Sequence, residues 1–260
     1  MIKSFVAVDI GNSLIKVGWF ENLQTADEPM VDSVWTFQEQ EVGNPRWQTA
    51  LELCSADATW WLASVNQSGL DRVQQWLRDH RPQTNGKVLQ SEHLPMSLEG
   101  LDPQQVGVDR VLAAMGARSM QVEPLPAIVI DLGTAVTVDA VSATGHFLGG
   151  VIMPGLSVGG KALADLTDRL PQVTVDHSGE LPPMIGKSTD EAITAGLVWG
   201  LIGALETVVR QQREILGEST QVFITGGAAG LADHLPFETT TVNHLCFRGM
   251  TAIAKSGNMK

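Results

Sequence analysis

The chain has no tyrosine, only two cysteines and few basic residues, and each shortage narrows what it can be. Cys54 and Cys246 stand far apart and in no metal-ligand spacing, so both read as buried thiols rather than as part of a disulfide framework or a zinc site. Lys and Arg number 17 against 29 Asp and Glu, a net charge of -12 with no basic cluster, which argues against a nucleic-acid partner. An acidic chain can still hold anions, because backbone N–H groups and a single lysine supply a local field. No apolar run reads as long enough to cross a membrane. The stretch Met1–Val8, followed at once by Asp9, is too short for a secretory leader. The six histidines, His80, His93, His146, His177, His234 and His244, show no metal spacing. A reducing, cytoplasmic setting without a membrane partner is the expectation.

What is present is an ordinary globular composition: 260 residues, 43% hydrophobic and 18% charged. That length supports one large domain or two of common size. Strands and helices interleave, which predicts an α/β fold. Ser4–Ile10 and Leu14–Phe20 read as a hairpin around Gly11-Asn12. Residues 29–45 are weakly patterned, as edge strands and loops. Helices are expected over 45–55, 70–79, 108–117 and 160–166, a long helical region over 188–217, and a closing helix over 247–254. Strands are expected over 59–65, 87–90, 145–152 and 221–225, with a Gly-rich loop at 154–160. The Trp60-Trp61 pair reads as core.

The opening pattern recurs. Residues 5–20 read FVAVDIGNSLIKVGWF and residues 127–141 read AIVIDLGTAVTVDAV, so that Asp9, Gly11 and Asn12 match Asp131, Gly133 and Thr134 at an offset of 122 residues. One Asp-x-Gly turn is common. Two, each after an apolar strand and half a chain apart, predict a duplication into two lobes, 1–119 and 120–260.

Six segments carry chemistry. In Asp9-x-Gly11-Asn12-Ser13-x-x-Lys16 the glycine lets backbone approach a phosphate, Asn12 and Ser13 add donors, Lys16 offsets phosphoryl charge, and Asp9 can hold Mg²⁺ through water. Alone, the same residues describe a plain hairpin with a surface lysine. Asp131-x-Gly133-Thr134 repeats the logic, and two such loops from two lobes could grip one triphosphate. Gly107-Val108-Asp109-Arg110 is either a surface ion pair or a general base beside a substrate clamp. Gly149-Gly150-x-Ile152-x-Pro154-Gly155 is either a turn or backbone pressed on a ligand. Gly186-Lys187-Ser188-Thr189 is not a P-loop, because Leu181 stands where that motif needs glycine; Ser188 or Thr189 caps a helix instead, with a substrate contact by Thr189 left open. Gly226-Gly227, ending a strand, suits a nucleotide's base and ribose.

Taken in order, DIGNSLIK, GVDR, DLGTAVTVD, GGVIMPG, GKST and TGG resemble the type III pantothenate kinases, of the actin-like superfamily that also holds sugar kinases, acetate kinase and Hsp70. The likeness runs from about Phe5 to Ile253. It implies duplicated ribonuclease H-like (actin-like) lobes with the active site in the cleft between them, and ATP-dependent phosphorylation of pantothenate, the first step toward coenzyme A. It also implies roles for residues of this chain. Asp9 to Lys16 would form the first phosphate loop, and Asp109 would be the base. Gly107, Val108, Asp109, Arg110 and Thr189 would contact pantothenate. Thr134, with Gly133, Gly226 and Gly227, would contact ATP. Asp131 would bind a monovalent cation, K⁺ or NH4⁺. Family members are cytoplasmic homodimers. One departure stands out: the family usually carries a Tyr seven residues before the Gly of GxDR, where this chain has Gly100. A kinase of another hydroxyl or carboxylate acceptor, and a non-catalytic regulatory relative, remain the rival readings.

Overall fold

Two apolar strands joined by a polar turn set the first sheet. The structure, a computed structural model, describes residues 2, 4–23, 34–84, 86–175 and 180–257. Strand β1 (Phe5–Ile10) turns back into β2 (Ile15–Phe20), which pairs with β3 (Val34–Phe37), all antiparallel. Helix α1 (Pro45–Glu52) leads to β4 (Thr59–Ser64), parallel to β1, and α2 (Gln67–His80) leads to β5 (Lys87–Leu89), parallel to β4. The sheet runs β3-β2-β1-β4-β5. Of the weakly patterned 29–45, residues 29–33 lie outside the described residues, as does His177; the rest forms β3, a 3-10 turn at Glu39–Glu41 and the start of α1.

Side chains alternate across a strand. Val6, Val8, Ile10, Ile15 and Val17 enter one core with Trp47, Trp60 and Trp76, under α1 and α2. The indole N–H groups of those three tryptophans are buried without an acceptor, in a core built on edge-to-face and tilted ring contacts such as Trp47–Trp76 at 5.7 Å. Phe5, Ala7 and Asp9 fall on the other face of β1 by the same alternation, together with Gly18 of β2. There a Cβ on Gly18 would lie 2.9 Å from the Phe247 ring.

The chain forms two compact units, 1–120 together with 245–260, and 121–244. A second lobe running from 120 to the end was expected. The chain instead returns to the first unit, where α6 (Leu245–Ser256) packs on α3 (Val108–Met120). Glycines allow this: a Cβ on Gly116 would meet the Leu245 carbonyl oxygen at 2.3 Å, and one on Gly249 the Leu112 carbonyl oxygen at 2.0 Å. Neither distance tolerates a side chain, so the two helices touch backbone to backbone.

The second unit repeats the first. Strands β6 (Ala127–Leu132), β7 (Ala135–Val141) and β8 (Phe147–Pro154) are antiparallel, and β9 (Gln221–Thr225) and β10 (Thr240–Thr241) are parallel additions to β6. The order β8-β7-β6-β9-β10 matches β3-β2-β1-β4-β5 strand for strand. Helices α4 (Leu156–Leu166) and α5 (Thr189–Leu216) belong to this unit. Most of the expected Gly-rich loop is in fact α4, with Gly155 at its N-cap. Its glycines serve packing, because a Cβ on Gly159 would lie 2.7 Å from a Leu197 methyl of α5. After Gly226-Gly227 the chain makes a 3-10 turn, Ala229–His234.

Helix α5 corrects another expectation, since by length and composition it could cross a membrane. Its Val198, Leu201, Ile202, Leu205 and Val209 instead join the core of the second sheet.

Candidate active site

The hairpin of the first unit places Asp9 opposite Lys16 across β1 and β2. Lys16 Nζ stands 4.0 Å from Asp9 Oδ2, both groups partly exposed. The Gly11 N–H donates to the Leu14 carbonyl at 3.0 Å and closes the turn, while Asn12 and Ser13 are exposed at its tip. This is a ladder of donors around a lysine, which suits a phosphate.

Asp109 stands in the first turn of α3. Its Oδ1 accepts the Arg110 N–H at 2.8 Å. The carboxylate folds back over Gly107, where a Cβ would come within 2.5 Å of Oδ1 and displace it. Burial pushes the Asp109 carboxyl above its ordinary value of 3.8, against the pull of the Arg110 N–H and charge and of the Lys16 charge. Lys16 therefore acts on both carboxylates of this unit. A carboxylate raised in this way is a better proton acceptor than an exposed one.

Beside it lies a cavity of about 470 Å³. Its walls come from the carboxyl ends of β4 and β5 (Ser64, Val65 and Leu89 to Glu92), from residues 103–106, and from Gly107 and Val108. The Ser91 hydroxyl ties the wall together by donating to the Val106 carbonyl at 2.7 Å. Ligands in open α/β sheets collect at such strand ends. Gln90, Ser91, Gln104 and Gln105 escaped sequence reasoning. The only signal for them was their place just after, or two segments after, a strand. Val108 borders the cavity but is itself buried in the core. Gly100 has φ +71 and open space around its missing Cβ.

The second unit gathers Asp131, Gly133, Thr134, Gly226 and Gly227. Asp131 pairs with Thr137 on β7 and with Thr225 on β9. Gly226, at φ +102, lies under the carboxylate, since a Cβ there would come within 2.5 Å of Asp131 Oδ1. The Ala228 N–H holds the Leu132 carbonyl at 3.1 Å, and the Gly155 N–H holds the Thr134 carbonyl at 3.0 Å. The second of the Gly-rich segments is thus built into this hairpin. Thr189 is exposed at the first position of α5. Ser188 caps that helix by accepting the Glu191 N–H at 3.2 Å, and Glu191 accepts the Lys187 N–H at 2.6 Å, so Gly186-Lys187-Ser188 is a helix start.

Among the described residues no cluster of three or more His, Cys, Asp or Glu side chains could hold a metal ion. The Asp9 carboxylate stands at the end of β1 beside the turn.

The sequence profile of the type III pantothenate kinase family matches residues 5–211. The chain belongs to the type III pantothenate kinases. A type III pantothenate kinase of Dehalococcoides mccartyi is 30% identical over 243 residues, 89% of each chain. Another, from Leptothrix cholodnii, is 31% identical over 270 residues, 96% of each. The fold is shared more widely: MreB 5 of Spiroplasma citri, solved with AMPPNP, superposes with a TM-score of 0.52 at 9% identity, over 98% of this chain and 96% of that one. As a kinase of this family the chain is an ATP-dependent phosphotransferase that works with a divalent metal.

Proposed function

We propose that the chain transfers the γ-phosphoryl group of ATP to the primary hydroxyl of pantothenate, giving 4'-phosphopantothenate and ADP on the route to coenzyme A. The observation that carries this reading is Asp109, a carboxylate raised by burial, at a helix start beside a cavity and within the field of Lys16. The acceptor oxygen bonds to the γ-phosphorus as the bridging O–P bond to ADP breaks, and Asp109 takes the hydroxyl proton. Gly107, Val108 and Arg110 position the acceptor, with Thr189 as a further contact. Gly11, Asn12, Ser13 and Lys16 hold phosphate oxygens, as do Gly133 and Thr134, and Gly226 and Gly227 lie along the nucleoside. Asp9 would hold Mg²⁺ through water, and the ion would supply charge neutralisation at the phosphates.

Asp131 is assigned to a monovalent cation, K⁺ or NH4⁺. The neutral Thr137 across the ladder, where the first hairpin has a lysine, supports this. A cytoplasmic homodimer completes the reading. Ile152, Leu166, Met184 and Ile185 are 60–83% exposed on β8, α4 and the approach to α5, large apolar side chains of the kind a second copy would cover.

A panel assay of ADP release tests the function: turnover is expected with pantothenate, and turnover with a sugar but none with pantothenate overturns it. Gly100, with its open surroundings, is what favours the rival acceptor. ATP binding without turnover on any acceptor would point to a regulatory relative.

A further inference from the structure

The first phosphate hairpin is held from behind by one amide. Asn66 follows β4 and caps α2, its Oδ1 accepting the Gly69 N–H at 3.1 Å. Its Nδ2 donates to the Gly11 carbonyl at 3.4 Å and to Glu39 Oε2 at 3.3 Å. The Ser64 hydroxyl fixes its backbone, donating to the Asn66 carbonyl at 2.8 Å and accepting the Asn66 N–H at 3.1 Å. Glu39 is itself fixed, because its Oε1 accepts from the Ser68 hydroxyl at 2.5 Å and from Arg72 Nε at 2.9 Å. These partners, Ser68 foremost, hold its carboxyl below the ordinary 4.5, so it is an anion at neutral pH. One side chain thus joins the turn after β3, the start of α2 and the tip of the β1–β2 hairpin. The start of α2 is pressed on β1 as well, where a Cβ on Gly69 would lie 2.8 Å from an Ile10 methyl.

In a planar trans peptide the carbonyl and the following N–H point opposite ways, and no peptide bond among the described residues is cis. The bond from Asn66 therefore turns the Asn12 N–H away from α2. We infer that Asn66 is a positioning residue for nucleotide binding: by holding the Gly11 carbonyl it aims the Asn12 N–H at the phosphates. In the second hairpin a backbone group, the Gly155 N–H, holds a carbonyl one position further on, that of Thr134. The inference rests on the ATP reading of the hairpin and adds a residue outside the Asp9–Lys16 motif.

The decisive variant is Asn66→Ser, which keeps a capping oxygen for α2 but cannot reach Gly11 or Glu39. Titration calorimetry with a non-hydrolysable ATP analogue and Mg²⁺, with thermal unfolding alongside, reads the effect. Affinity is expected to fall roughly tenfold, the scale of one well-placed hydrogen bond to a phosphate-binding peptide. The KM for ATP should rise while that for the acceptor and the unfolding midpoint stay put. Affinity within about twofold of the unmodified chain overturns the inference, as does an equal rise in both KM values. Should Asn66→Ser fail to fold, Asn66→Asp serves: it keeps the shape and the cap but sets a carboxylate oxygen against the Gly11 carbonyl, and undiminished nucleotide affinity there overturns the inference equally. If the unmodified chain binds no nucleotide, the kinase reading itself falls and takes this inference with it.

Discussion

The two hairpins are the same object in topology and different objects in chemistry. Each is a β-turn-β at the centre of a five-stranded sheet with one strand order. In the first, Asp9 faces Lys16; in the second, Asp131 faces Thr137. The first turn spans residues 11–14 between its strands, and the second only Gly133-Thr134. The first is backed by the Asn66 side chain, the second by backbone N–H groups and by Gly226 pressed against its carboxylate. The backbone device is preserved between the two units while the charges across it differ. The first unit sets a lysine across from its hairpin carboxylate and, at the start of α3, a half-buried carboxylate whose carboxyl is raised by burial. That makes it the half suited to proton transfer.

The largest effect should come from the carboxylate that has no counterpart in the second unit. Asp109→Asn is expected to lower kcat at least about 100-fold, as for loss of a general base, with nucleotide affinity retained. Near-normal turnover would remove Asp109 from the mechanism. The raised pKa also sets the sign of two pH effects. A base works deprotonated, so the acid limb of kcat/KM should lie above the range of an ordinary Asp. For stability, a carboxyl raised on folding favours the native state fully below its unfolded pKa, and this advantage is lost as pH rises through the folded value. Asp109→Asn should therefore raise the unfolding midpoint at neutral pH and lose that advantage in acid, which thermal melts across pH would show.

Next comes the cross-strand residue. Lys16→Met should cost about 100-fold in kcat/KM, as for a lost transition-state donor, while Thr137→Val stays within about threefold. Equal losses would erase the distinction between the hairpins. The backbone comparison is milder. Gly226→Ala is strained by φ +102 and by contact with Asp131, and should destabilise by about 2–4 kcal/mol in urea unfolding. Gly11→Ala, whose Cβ would meet only the Leu14 carbonyl at 3.2 Å, should cost about 1 kcal/mol or less. The smallest effect separates the two helix caps: Ser188→Ala should cost about 1 kcal/mol and leave nucleotide affinity unchanged, whereas Asn66 both caps a helix and holds a hairpin.

Much of this was legible in the chain. Strand and turn patterns around Asp9 and Asp131 are local, and hydrophobic alternation is enough to locate them. The start of α3 was visible because Gly-x-Asp-Arg carries its own geometry, and Ser188 as a cap because its Glu191 partner is three residues on. What escaped was non-local. Gly155, Gly159 and Gly160 read as a loop, since nothing nearby reveals that Leu197 and the second hairpin crowd them into a helix and its cap. α6 was placed with the second half, because its membership depends on Gly249 meeting Leu112 far back in the chain. Gln90 and Gln104 carry no motif and become cavity walls only when β5 and the segment before α3 come together.

The sequence by itself therefore determined the repeat and its two Asp-x-Gly turns, and singled out Asp109 as the candidate base, because these depend on residues a few positions apart. Only the tertiary structure decided that burial raises the Asp109 carboxyl, that the Lys16 charge reaches it, that α6 closes the first unit and that Asn66 stands behind Gly11. Each of those depends on burial or on contact between distant segments, and desolvation and packing have no signature in local order.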